Sequence, residues 1–158
     1  MSKYENAMKL MEERCGNGKD NTIALATIAL STNAAGDPQP AVRMVDAYYE
    51  DGMFYVSTDA KKSKMLEIEK NNEVAIGGLD WFVVQGTAEN LGWVKDEKNA
   101  EIRAKMKKIF VWFDDHGDEE NPNSIVLRIT PASGTITDHD RKYGEWQYQV
   151  DFLNKVAK

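Results

Sequence analysis

A single cysteine, Cys15, excludes an intramolecular disulfide in this 158-residue chain and fits a reducing cytoplasm. Histidine is nearly as scarce, with only His116 and His139. Without a second cysteine or a helical histidine pair, the usual zinc-ligand patterns are missing. No apolar run is long enough to span a bilayer. The first residues mix Lys3, Glu5, Lys9 and Glu12 with apolar ones, unlike a secretion signal. Positive charge is in deficit: the formal net charge of −6 argues against a broad basic face for nucleic acid. No glycine-rich nucleotide loop, internal repeat or low-complexity linker occurs.

What is present is ordinary globular material, 42% hydrophobic and 29% charged, enough for one domain over residues 1–158 with one core. Tyr4, Ala7, Met8 and Met11 step by three and four, which predicts a helix ending near Gly16 and Gly18. Ile23, Leu25, Thr27 and Ile28 lie in a first strand, residues 22–31. Gly36-Asp37-Pro38 turns into a second, 39–49, and Asp51-Gly52 into a third, 53–58. Met65, Leu66 and Ile68 give a helix over 62–70 a buried side. Strands follow at 74–79 and 81–91, with Gly86 as a kink. Asp96 caps a helix reaching Phe110, and an acidic loop covers 114–123. Two last strands, 124–130 and 133–137, are separated by Pro131. Trp146, Val150, Leu153 and Ala157 step by four, three and four, which predicts a C-terminal helix. The sum is mainly β with flanking helices: a six- to seven-stranded antiparallel barrel.

Chemistry concentrates in residues 41–66. Arg43 sits on the second strand, Ser57 and Thr58 end the third, and Lys61, Lys62, Ser63 and Lys64 enter the helix. Each feature alone is bland, since a strand arginine is more often ion-paired or exposed than a ligand contact. Together they bring cations, hydroxyls and helix-start amides from one hairpin-and-helix unit into one place, which suits a phosphate.

These residues resemble the flavin-binding core of the pyridoxamine 5'-phosphate oxidase-like family, the FMN-binding split barrels. The likeness rests on Arg43-Met44-Val45, on Ser57-Thr58, on Lys64 six residues after Thr58, and on Gly86-Thr87-Ala88-Glu89 further on. It covers residues 23–91 by order and spacing, and the chain's length matches the general stress protein and flavin-reductase-like branch. The resemblance implies FMN as cofactor. Arg43 and Lys64 would pair with its phosphate, and Ser57, Thr58 and Ser63 would add donors. Met44, Val45 and Asp46 would line the ring, with Trp81 near it. It also implies a cytoplasmic homodimer with the flavin between subunits, passing electrons from NAD(P)H to a small acceptor. The alternatives are a non-enzymatic flavin or haem binder and a pyridoxamine 5'-phosphate oxidase. The last is disfavoured: the basic, His-bearing C-terminal segment that holds the substrate in the true oxidases has no clear match, since Asp138-His139-Asp140-Arg141-Lys142 is short and flanked by acidic residues.

Other centres are weaker. The acidic loop around His116 lacks the calcium-loop pattern and reads as solvated. Cys15 has no activating neighbour beyond Arg14, so a catalytic thiol is not expected.

Overall fold

Residues that alternate between core and surface along successive segments build a sheet that closes on itself. The computed structural model describes residues 1–158 except the side chain of His116; the metal role weighed for that histidine lies outside the described residues. The elements are α1 (Lys3–Cys15), β1 (Asn21–Ile28), β2 (Pro40–Glu50), β3 (Met53–Asp59), α2 (Ser63–Lys70), β4 (Glu73–Gly78) and β5 (Phe82–Trp93). A 3-10 turn (Glu97–Asn99), α3 (Ala100–Ile109), α4 (Phe113–His116), β6 (Ser124–Thr137), β7 (Gln147–Asp151) and β8 (Val156–Ala157) complete the chain.

The strands run β3-β2-β1-β4-β5-β6, and a β3–β6 ladder closes them into a six-stranded antiparallel barrel. β7 and β8 extend the sheet from the far half of β6. This is a split barrel with flanking helices, as the sequence predicts. Leu25, Phe54, Leu127 and Ile129 are fully buried in its core, which Ile136 and Tyr148 continue beneath β7. Each such side chain contributes about 1.5–3 kcal/mol by leaving water. Ser2 and Glu5 form a reciprocal capping box that starts α1. That helix buries Ala7, Leu10, Met11 and Cys15 and packs on β2, β7 and β8. The shorter α2 buries Met65, Glu67 and Ile68 and packs on β1 and β5. A second cluster, with Tyr48, Met106, Phe110, Phe113 and Val126, seats α3 and α4 on the outside of the barrel.

Three expectations need correction. The C-terminal segment is not a helix. Tyr148 and Val150 are buried while Gln147 and Gln149 are exposed, so the operative period is two and the segment pairs with β6 as β7. Trp146 and Leu153, members of the supposed helical stripe, are 46% and 71% exposed. Lys155, at φ 55, then turns the chain back into β8. Second, Pro131 does not break β6. It pairs with Gly86 where the register shifts, and a bulge tolerates the missing N–H. A Cβ on Gly86 would lie 2.2 Å from the Thr130 carbonyl oxygen, so the close approach there requires glycine. Third, Asp96 caps the 3-10 turn through Lys98 N–H, and α3 begins only at Ala100.

Candidate functional site

β2 pairs with β1 from Pro40 to Ala47 but with β3 only from Tyr48↔Tyr55 to Glu50↔Met53. Past that point β3 keeps only its β6 partner, with Ser57 opposite Val126 and Thr58 opposite Ile125. The wall therefore opens between residues 43–47 of β2 and 56–59 of β3. Backbone groups that β2 turns away from β1 over this stretch have no strand partner. The chain leaving β3 enters α2 directly at this opening.

Alternation along β2 sorts the side chains. Arg43, Val45 and Ala47 point to the inner side, where Val45 and Ala47 are buried. Met44 and Asp46 point outward, and Met44 is 60% exposed. Arg43 reaches toward α2. Its guanidinium donates to Leu25 O at 3.3 Å and Thr27 Oγ1 at 2.6 Å, and pairs with Glu67 Oε1 at 2.6 Å. The ion-paired reading of a strand arginine is therefore part of the answer here.

Lys64 differs. It is half-buried and has no hydrogen-bond or ion-pair partner among the described residues. Burial lowers the pKa of its ammonium, and the neighbouring charges of Arg43 and Lys62 lower it further. Arg43 and Lys64 thus share one side of the molecule and repel each other. α2 starts without a side-chain cap at Lys62, which leaves the first-turn amides of Ser63 and Lys64 unbonded. The hydroxyls of Ser57, Thr58 and Ser63 make no hydrogen bond among the described residues. Two cations, free amides and free hydroxyls beside a gap in the wall form a place that an anion would stabilise.

Not every predicted residue is available there. The Asp46 carboxylate is engaged: Thr22 Oγ1 donates to it at 3.3 Å and Trp112 Nε1 at 3.0 Å, so it fastens the α3–α4 excursion to β2. Trp81 is not brought to the cluster within one chain. It sits in the β4–β5 turn against Phe82, beneath Arg14, which binds Thr137 O and pairs with Asp138. Glu67 and Thr27 were missed by sequence reasoning. A signal existed for both: Thr27 is polar at a position in phase with buried Ile23 and Leu25, and Glu67 falls between the buried Met65 and Ile68.

A hollow of about 780 Å³ lies elsewhere, lined by Tyr4, Met8, Tyr49, Met53, Pro131 and Phe152 among others. None of the cluster residues borders it. Cys15 is buried and its thiol is pushed up to about 12, mainly by burial. His139 places Nε2 at 3.1 Å from Asp80 O and stands edge-on to Trp146. Among the described residues, no group of three or more His, Cys, Asp or Glu could hold a metal. No helix among them is long and apolar enough to cross a membrane. The acidic loop is tied down by Glu119, which pairs with Arg103 and Lys107, and by Glu120, which pairs with Lys95.

Comparison with known proteins identifies the family and the fold. The pyridoxamine 5'-phosphate oxidase family model matches residues 19–138, and the chain belongs to that family. Solved structures share the fold. General stress protein 26 from Bacillus anthracis is 20% identical, with TM-score 0.53 and 85% of this chain and 92% of that one covered. A pyridoxamine 5'-phosphate oxidase-related, FMN-binding protein from Nostoc punctiforme is 16% identical, with TM-score 0.54 and 94% and 89% covered. An F420 reductase is 16% identical, with TM-score 0.53 and 78% and 94% covered. No curated protein matches the chain significantly.

Proposed function

We propose that the protein is an FMN-binding flavoprotein, that it works as a homodimer, and that it passes electrons from NAD(P)H to a small acceptor. The observation that carries the reading is Lys64: a half-buried cation without a partner among the described residues, next to Arg43 and the open start of α2. The residues fit the group. Lys64 and the remaining donors of Arg43 would hold the phosphate, with Ser57, Thr58, Ser63 and the first amides of α2. The unpaired edge of β2 at Met44, Val45 and Asp46 would offer backbone groups to the polar rim of the ring. Bound flavin supplies the redox step, accepting a hydride from the nicotinamide and reducing the acceptor.

A homodimer is supported by the outer face of the sheet. Met44, Ala24, Gly77, Val83, Thr135 and Gln149 lie in register across six strands without a charge among them. Val42 and Val83 are 68% and 57% exposed on the same face. An uncharged row of this kind, with exposed valines and a methionine on it, suits burial against a second copy. In such a pair Trp81, remote within one chain, would be free to serve the partner's flavin.

One observation favours a second reading, a flavin carrier without turnover. The carboxylates at the cluster are engaged, Glu67 by Arg43, Asp46 by Trp112 and Asp59 by the Lys61 N–H, so none is free to move a proton among the described residues. The oxidase of pyridoxamine phosphate gains no support: Lys142 is held by Glu13, and His139 by the Asp80 carbonyl. Absorbance of freshly purified protein tests the main proposal. The expected result is the two-band flavin spectrum followed by NAD(P)H oxidation at a steady rate. Colourless protein that takes up no FMN contradicts it, and flavin-loaded protein without NAD(P)H oxidation selects the carrier reading.

A further inference from the structure

Arg43 is locked from behind. A guanidinium has five N–H donors, and three bonds of this one run inward, to Leu25 O, Thr27 Oγ1 and Glu67 Oε1. Thr27 closes the ring by donating its hydroxyl to the same Glu67 oxygen at 3.2 Å. Thr27 is 2% exposed and the Glu67 side chain 7%, so this ring is part of the barrel wall. The Nε–H and one N–H of the terminal nitrogen stay free.

We propose that Glu67 is the positioning residue of the phosphate site: it fixes the Arg43 guanidinium in one orientation and offsets its charge, so that Lys64 sets the net positive charge the phosphate meets. This rests on the reading of the cluster as a flavin phosphate site. The geometry gives it physical content. Glu67 and Lys64 lie three residues apart on α2, one turned into the wall and the other half in solvent. The helix that presents the cation therefore also brings the counterion for its neighbour. Without Glu67, a guanidinium and an ammonium would face each other in a small volume before any ligand arrives, and each would be driven toward solvent. With it, Arg43 acts as a fixed fork of donors and Lys64 as the point charge. Glu67 lies behind Arg43 and acts through it.

The test is titration of wild type, Glu67→Gln and Thr27→Val with FMN and with riboflavin, at low and at physiological ionic strength. Glu67→Gln keeps an oxygen acceptor for Arg43 and removes the negative charge. FMN affinity should rise about threefold to tenfold at low salt, riboflavin affinity should stay, and added salt should shrink the gain. Thr27→Val loosens Arg43 without changing net charge, so FMN affinity should fall while its salt dependence stays that of wild type. A purely structural Glu67 would move both flavins together, or leave their ratio within about twofold of wild type, and either result overturns the proposal. If Glu67→Gln does not fold, Thr27→Val decides: an unchanged FMN-to-riboflavin ratio overturns it. Wild type that shows no preference for FMN removes the phosphate-site reading itself, whereas a wild-type preference with an unmoved ratio in Glu67→Gln removes only the role of Glu67.

Discussion

Lys64 carries a charge that its surroundings disfavour. Its pKa is lowered, first by burial and then by Arg43 and Lys62. A base with a depressed folded pKa destabilises the fold while charged, and this penalty fades as pH rises through the folded pKa toward the ordinary lysine value. For ligand binding the sign reverses, because a phosphate meets a cation below that pKa and a neutral amine above it. FMN affinity should therefore fall with rising pH before the ordinary lysine range is reached, while riboflavin affinity stays level. Lys64→Arg should keep FMN affinity level to higher pH, and fluorescence titration across the alkaline range checks both. Arg43→Ala is a poor probe by comparison. It strands a Glu67 side chain that is 7% exposed, which costs about 3–5 kcal/mol of stability whatever binds. Replacing Arg43 and Glu67 together by methionine should lower stability less than Arg43→Ala alone, as read from urea midpoints. Cys15, buried with its thiol pushed up to about 12, should resist a thiol reagent at neutral pH until the protein is unfolded.

At the scale of elements, the β5–β6 bulge is the most constrained joint. Gly86→Ala would set a Cβ against the Thr130 backbone, and backbone yields poorly. We expect a loss of about 1–3 kcal/mol in urea denaturation, and larger side chains should prevent folding. The joint also marks how far sequence reasoning reached. Gly86 was legible as a kink because glycine inside an apolar strand has few other uses. Pro131 opposite it read as a break because a sequence cannot show that a bulge lies across the ladder. The hairpins were legible from Asp51-Gly52, whose two positive φ values, 49 and 82, are what that dipeptide provides. The C-terminal segment was not, since five residues satisfy a helical and a strand period at once, and only pairing with β6 selects the strand. For the candidate site, the residues proposed to face the ligand were readable from their types. The Thr27–Glu67 brace was not, because its partners lie 40 positions apart and meet only when α2 docks on β1.

For the whole molecule, the uncharged row from Met44 to Gln149 is the surface proposed to pair with a second copy. Ala24 sits mid-sheet on that face, between Met44 and Gly77. Ala24→Glu should leave circular dichroism unchanged and convert a dimer to a monomer in sedimentation, and it should weaken flavin binding if the second copy completes the site. A monomeric wild type would refute the dimer while leaving the phosphate cluster untouched. The central claim is that Arg43, Lys64 and the start of α2 grip a flavin's phosphate. Parallel titration of FMN and riboflavin into wild type and Lys64→Ala tests it most directly. Wild type should prefer FMN, and the variant should lose about 1.5–3 kcal/mol of FMN binding with riboflavin binding unchanged. Equal affinities for the two flavins in wild type, or an equal loss of both in Lys64→Ala, would contradict the claim.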